Sequence, residues 1–150
     1  MARLIILDSG IVGIITNPKA KSFEAQTCKQ WYASLLIKGE RIALPEIVNY
    51  EVRRELIRAD KQKGLQRLNE LQSVLIYLPI TTEVILLASK FWADVRKAGK
   101  PTAAPQSLDG DVILAAQAKI QELNENQVIV ATTNVKHLSL FVDAREWQNI

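Results

Sequence analysis

Short apolar runs alternate along the chain with longer segments in which apolar residues recur every three or four positions. The clearest runs are LIIL at residues 4–7 and VIVAT at residues 128–132, and weaker ones lie at 41–44 and 74–78. An apolar run bounded by turn residues is typical of a strand buried on both faces. We predict strands at these places and a last short strand near residues 141–142. Their alternation with helices predicts an α/β/α sandwich with a central, mostly parallel sheet.

The helices predicted between the strands have recognisable ends. Ser22 and Thr82 are suitable N-caps, Gly39 and Gly99 suitable helix ends, and Pro79 indicates a strand at a sheet edge. The expected helices cover residues 10–16, 22–38, 45–59, a segment ending near 72, 83–98, and 109–124. Residues 99–107, GKPTAAPQS, are predicted to form a loop.

Asp8 follows the first apolar run directly. In a parallel sheet this position lies at the carboxyl edge, where the loops leaving adjacent strands open a crevice for ligands. Asp8 also has a purely structural interpretation, because its side chain can cap the helix that begins at Ser9 or Gly10.

Two acids interrupt the apolar face of the helix after the second strand. Glu51 and Glu55 fall within the arc occupied by the apolar residues of that helix. A buried carboxylate normally neutralises, pairs or binds a metal. The structural alternative is an ordinary surface pair with Arg54 or Arg58, worth a few tenths of a kcal/mol.

Asp109 and Asp111 open the segment SLDGDVILAAQA, whose alanines allow close helix packing. Acids in the first turn of a helix are favoured by its dipole, so either could simply be a cap. The last inner strand ends in Thr132, Thr133 and Asn134, which could hold a water or an outer carboxylate, or form a polar turn. The lone His137 is interpreted as a packed or hydrogen-bonded residue.

The composition of the chain restricts the possible classes of protein. Its 150 residues, 48% hydrophobic and 23% charged, predict one globular domain over residues 1–150. One Cys excludes an intramolecular disulfide, and one His excludes a zinc site built from several imidazoles. A metal would therefore require carboxylate ligands. Neither a signal-peptide pattern nor a membrane-spanning run is found, so we expect a cytoplasmic protein.

Four segments together resemble the PIN-domain family, particularly the VapC-like toxins of bacterial toxin–antitoxin pairs. They are LIILDSG, IVNYEVRREL, LDGDVILAAQA and VIVATTNVKHL, in family order over nearly the whole chain. The resemblance implies a PIN-like α/β/α fold with a cluster of acids that binds magnesium or manganese. It also implies endoribonuclease activity, a small antitoxin as partner and a homodimer.

Carried over to this chain, the resemblance makes Asp8, Glu51 and Asp111 the catalytic metal ligands and gives Asp109 a supplementary place. Many relatives have a fourth acid at the last junction, where this chain has Thr133 and Asn134. The two neutral residues would then position water or the scissile phosphate, and the chain would hold one or two Mg²⁺ or Mn²⁺ ions.

An acidic centre needs a basic rim to bind RNA, since phosphate contacts supply most of the affinity. The candidates are Arg53, Arg54, Arg58, Lys61, Lys63, Arg96, Lys97 and Lys100. Each is also compatible with a solvated helix surface. A PIN-like module that binds RNA or a protein without cleaving is the main alternative function. A phosphoacceptor receiver-type domain would require paired acids near the chain start, where Asp8 stands alone.

Overall fold

A computed structural model describes residues 3–99, 105–125 and 127–150. Its centre is a parallel sheet with strand order β3-β2-β1-β4-β5. The strands are β1 (Leu4–Leu7), β2 (Arg41–Pro45), β3 (Ile76–Leu78), β4 (Val128–Thr132) and β5 (Ala144–Glu146). The prediction of a parallel sheet with the first strand at its centre is confirmed, as is the edge position of the strand before Pro79.

Helices cover both faces of the sheet and complete the predicted three-layer sandwich. They are α1 (Ser9–Thr16), α2 (Phe23–Ile37), α3 (Glu46–Arg58), α4 (Gln62–Val74), α5 (Thr82–Ala98), α6 (Pro105–Gln121) and α7 (Val135–Leu138), with a 3₁₀ turn at Trp147–Asn149. Within the described ranges, none of these helices combines the length and apolar character needed to cross a bilayer.

The main core lies around the neighbouring strands β1 and β4. All residues of β1 and β4 are buried, and they pair in register from Leu4 with Val128 to Leu7 with Ala131. Burial of each large apolar side chain contributes roughly 1.5–3 kcal/mol, so these strands anchor the sheet. A second cluster holds α5 against α6 through Val84 and Val112.

The order of the strands creates a crevice between β1 and β4. From β1 the chain moves outward to β2 and β3 on one side, then returns to β4 on the other side of β1. The helices that follow β1 and β4 leave these strands in different directions. They therefore separate at the carboxyl edge of the sheet. Asp8 and Thr132 stand at this edge.

Two predicted helix starts were wrong. The α5 cap is Thr81, which accepts the Val84 N–H at 3.2 Å, because the helix begins one residue earlier than expected. Helix α6 starts at Pro105, not at Asp109, since proline suits a first turn and Leu108 is buried in the α5–α6 cluster. Residues 100–104 of the predicted loop lie outside the described residues.

The last strand and the His137 turn also differ from prediction. Strand β5 begins at Ala144 and pairs with Val130 of β4, whereas Phe141 stacks on Phe91 with ring centroids 4.6 Å apart. The apolar residues 141–142 were predicted as a strand, but here they contribute to a packing contact. His137 lies on the short helix α7.

Candidate functional site

Asp8 is held by two neighbours at the end of β1. Its Oδ1 accepts the Ser9 backbone N–H at 2.6 Å, and its Oδ2 accepts the Thr132 hydroxyl. The predicted helix cap is confirmed, since Asp8 is the N-cap of α1. Both contacts also fix the orientation of the carboxylate at the edge of the sheet, so capping does not remove Asp8 from the site.

Glu51 lies on α3 against the backbone of α6. A Cβ at Gly110 would be 2.6 Å from Glu51 Oε2, so the absence of a side chain there leaves room for the carboxylate. Burial raises the pKa of Glu51, and the charges of Asp8 and Asp111 raise it further while Arg54 opposes them. This electrostatic coupling indicates that the three carboxylates share one region.

Asp111 lies in the second turn of α6, because the helix begins earlier than predicted. Its side chain is 23% exposed, yet its Oδ2 is buried and has no hydrogen-bond partner among the described residues. Burial raises the pKa of Asp111; His137 lowers it, and the charge of Asp8 raises it. The nearest cationic candidate is His137, with Nδ1 3.3 Å from Oδ2.

Asp109 is exposed and two residues away from Asp111 on the same helix. Two helical residues span about 200° of rotation, so the two side chains leave α6 in nearly opposite directions. The structure thus gathers Asp8, Glu51 and Asp111 at one edge and turns Asp109 away from it.

The three neutral residues of the β4–α7 junction make different contacts. Thr132 is fully buried, donates to Asp8 and accepts the Asn134 backbone N–H at 2.9 Å. Thr133 is exposed and lies so near α1 that a Cβ at Gly10 would be 2.8 Å from its Oγ1. The Asn134 amide nitrogen is 2.8 Å from His137 Nδ1.

The sequence named Thr132 as a possible partner of a carboxylate and His137 as a packed or hydrogen-bonded residue, and both are confirmed; it did not show that their partners are Asp8 and Asp111. The signal for Thr132 was its place at the end of an apolar run, but its contact with Asp8 depends on the register of β1 against β4. The sequence around His137 does not indicate its contact with Asp111. This contact joins α7 to α6, and the two residues are 26 positions apart in the chain.

The donor chemistry of the edge fits a hard divalent cation. Carboxylate oxygens are the ligands that Mg²⁺ and Mn²⁺ prefer, and the unpartnered Asp111 oxygen would be satisfied by a cation. Burial and then the charge of Asp8 raise the pKa of both Glu51 and Asp111, so negative charge is concentrated at the same place. In the described part of the chain, no group of three or more His, Cys, Asp or Glu side chains is arranged to hold a metal ion.

A groove of about 930 Å³ opens beside Glu51 and runs between α1, α3 and the start of α4. Ser9 and Gly10 form its end next to Asp8. The predicted RNA-binding residues that line it are Arg54, Arg58, Lys61 and Lys63. The groove therefore begins beside the acidic edge and is lined along its length by these basic side chains.

The other predicted basic residues lie elsewhere. Arg53 donates to Asn49 and Gln72, outside the groove lining. Arg96 stacks over Trp92 on α5, 5.3 Å from the ring centroid, and Lys97 follows it on the same helix. Lys100 lies outside the described residues.

Comparison with known proteins places the chain in a family. A model of the PIN domain matches residues 5–136, so the chain belongs to the PIN-domain family. This confirms the family to which the four sequence segments pointed. The chain matches none of the curated protein sequences with which it was compared.

Solved structures with the same fold include toxin–antitoxin proteins. VapBC2 from Rickettsia felis, bound to a DNA fragment from its promoter, matches with a TM-score of 0.72 at 16% identity over 96% of this chain and 98% of that chain. VapBC-1 from Haemophilus influenzae gives 0.68 at 16% identity over 97% and 98%. VapC20 from Mycobacterium tuberculosis, a toxin that cleaves the sarcin-ricin loop, gives 0.66 at 17% over 94% and 98%.

Proposed function

We propose that this protein is a Mg²⁺- or Mn²⁺-dependent endoribonuclease and the toxin of a toxin–antitoxin pair. The observation that supports it best is the position of Asp8, Glu51 and Asp111 at one edge of the sheet beside a basic groove, where burial and then the charge of Asp8 raise the pKa of Glu51 and Asp111. Structural relatives that include VapBC complexes and an RNA-cleaving VapC toxin support the same assignment.

In this proposal Asp8, Glu51 and Asp111 hold the divalent ion. When bound, such an ion lowers the pKa of a water and stabilises the leaving oxygen of a phosphodiester. The Thr132 hydroxyl fixes the Asp8 carboxylate, and Gly110 leaves room for that of Glu51.

Substrate binding is assigned to the groove. Arg54, Arg58, Lys61 and Lys63 offset the repulsion between the acidic edge and an RNA backbone. At the β4–α7 junction, the exposed Thr133 and Asn134 orient a water or the scissile phosphate through hydroxyl and amide groups. The same surface offers an inhibiting antitoxin access to the site, and a homodimer is the expected assembly.

The second candidate function is a module that binds RNA or a protein without cleaving. Two points favour it. The family resemblance leads us to expect a fourth acid at the last junction, where this chain has Thr133 and Asn134, and among the described residues no group of three or more His, Cys, Asp or Glu side chains is arranged to hold an ion. It predicts RNA binding without Mn²⁺-dependent cleavage.

The deciding experiment compares the wild type with Asp8→Ala and Asp111→Asn in Mn²⁺-dependent cleavage of an RNA panel, with sequencing of the cleaved ends. We expect a loss of at least about 100-fold, since even outer-shell partners of a metal ligand typically contribute 10–100-fold. Glu122→Gln is the matched control, because Glu122 is an exposed carboxylate that pairs with Lys119 outside the groove lining. Equal cleavage by all four proteins would contradict the proposal.

A further inference from the structure

Tyr50 is an exposed aromatic residue on α3, one position before Glu51. It is 56% exposed, and the guanidinium of Arg54 lies over its ring, 5.0 Å from the ring centroid. Residues four positions apart lie on the same face of a helix, so α3 itself holds the two side chains together. A cation–π contact at an exposed site is weak, so stability alone does not require an aromatic residue here.

The Tyr50–Arg54 pair adjoins the groove. Glu51 and Arg54 both line it, and Tyr50 contacts this lining through the guanidinium of Arg54. Arg58, one turn further along α3, is paired with Glu55. Arg54, in contrast, forms no ion pair with a carboxylate in the part of the chain that the structure describes. The pair therefore presents an aromatic ring and an uncompensated cation at the border of the groove, next to Glu51.

The chemistry of this pair matches a nucleotide. A nucleobase has a flat aromatic face that stacks on a tyrosine ring, and its phosphate carries the charge that a guanidinium complements. A base within a duplex is covered on both faces by its neighbours, so a base must be unpaired and unstacked to bind in this way. Proteins that bind single strands combine a basic groove with aromatic side chains. The border of this groove has both.

We propose that Tyr50 is a base-stacking residue that holds an unpaired nucleobase of the RNA beside the acidic edge, with Arg54 orienting the ring and contacting the adjacent phosphate. The inference rests on the proposed RNA-directed function and deepens it, because it assigns the selection of unpaired RNA to one side chain. Phosphate contacts in the groove supply affinity without regard to the bases. Stacking on Tyr50 adds a requirement for a base, which every base satisfies because every base has an aromatic face.

Oligouridylate and an abasic ribose-phosphate oligomer of the same length separate stacking from charge, since the two carry the same number of phosphates. Fluorescence anisotropy at several salt concentrations measures their affinities for the full chain on the cleavage-deficient Asp111→Asn background. We expect this parent to bind oligouridylate about 10-fold more tightly than the abasic oligomer. Tyr50→Leu should remove most of this preference and leave the salt dependence unchanged. Tyr50→Phe keeps the ring and should retain the preference.

Trp92→Leu is the matched control, because Trp92 carries Arg96 over its ring at 5.3 Å on α5, outside the groove lining. Its preference for oligouridylate should stay within about 2-fold of that of the parent. Equal affinities of Tyr50→Leu and the parent for oligouridylate would overturn the inference and indicate a protein partner for the exposed ring. A parent that binds both oligomers equally, or neither of them, would overturn it as well.

Failure of the proposed function is a separate result. It would appear as absence of Mn²⁺-dependent RNA cleavage by the wild type. The oligomer measurements report binding alone, so they detect stacking on Tyr50 whether or not the chain cleaves RNA.

Discussion

Gly110 shows how one residue can control a site without a functional group. It lies in α6 beside Asp111, and its missing side chain leaves the space that the Glu51 carboxylate occupies. Alanine would favour the helix by about 0.5–1 kcal/mol over glycine but would place a methyl group 2.6 Å from Glu51 Oε2. The helix preference and the site geometry therefore conflict at this position.

We predict that Gly110→Ala displaces the Glu51 carboxylate and lowers RNA cleavage by about 10-fold, while the fold is retained. Glu51 is a flexible side chain and can move away, so the cost should appear mainly in activity. Cleavage rates and urea unfolding of the variant would measure the two effects separately.

The control for this prediction is a double-mutant cycle with Glu51→Ala. Once the carboxylate is absent, Gly110→Ala should stabilise the chain by about 0.5–1 kcal/mol, and in the wild-type background by less. The same change in unfolding free energy in both backgrounds would show that the contact does not matter.

At the scale of elements, α3 is fixed at its start and carries Glu51 into the groove. Glu46 accepts the Tyr77 hydroxyl at 3.1 Å and the Ile80 backbone N–H at 2.9 Å, which ties the first turn of α3 to β3 and the loop after it. Arg53 joins α3 to α4 through Gln72. Arg53 of the predicted basic rim is thus structural, whereas Arg54, Arg58, Lys61 and Lys63 line the groove.

We predict that the groove, and not α5, binds the RNA backbone. Replacing Lys61 and Lys63 together by Gln should weaken RNA binding about 10-fold and reduce the salt dependence by roughly two phosphate contacts. Fluorescence anisotropy on a cleavage-deficient Asp111→Asn background at several salt concentrations would measure both quantities.

Arg96→Gln with Lys97→Gln provides the charge-matched comparison, because both residues lie on α5 outside the groove lining. We expect its affinity to change less than about 2-fold. A larger loss from the α5 pair than from the groove pair would move the RNA-binding surface to α5.

At the scale of the whole molecule, the acidic edge lowers stability while no cation is bound. The pKa of Glu51 is raised in the folded protein. At pH values between its ordinary pKa, about 4.3, and the raised value, the folded chain therefore binds more protons than the unfolded chain. Stability contributed by Glu51 therefore falls as the pH rises through this window.

We predict that Glu51→Gln is more stable than the wild type at neutral pH in chelator, and that this gain disappears below about pH 4. Each kcal/mol recovered would raise Tm by about 2–4 °C in a chain of this size. Thermal unfolding from pH 3 to 8 would test the sign.

For the stability measurement, Glu55→Gln on the same helix is the matched control. Its exposed ion pair with Arg58 should contribute less than about 1 kcal/mol, and its removal should produce no comparable gain. Mn²⁺ should reverse the order by stabilising the wild type more than Glu51→Gln. A wild type that is the more stable protein at neutral pH in chelator would refute the charge argument.

Much of the architecture could be predicted from the sequence because it depends on local chemistry. The buried strands at 4–7 and 128–132, the Asp8 and Ser22 caps and the position of Pro79 follow from apolar periodicity, free backbone N–H groups and the geometry of proline. Asp8 and Glu51 could be singled out because charge at the end of an apolar run or on an apolar face is costly, whereas the role of Asp111 followed from the family resemblance.

The tertiary structure decided which of these residues meet and in what state. The contact of Thr132 with Asp8 depends on the register of β1 against β4. The space for the Glu51 carboxylate depends on the packing of α3 against Gly110. The contact of His137 with Asp111 depends on the position of α7. These are distances between segments far apart in the chain, and local propensity does not encode them. The sequence by itself thus determined the ingredients of an acidic edge, whereas packing determined which carboxylate lacks a partner and which imidazole faces it.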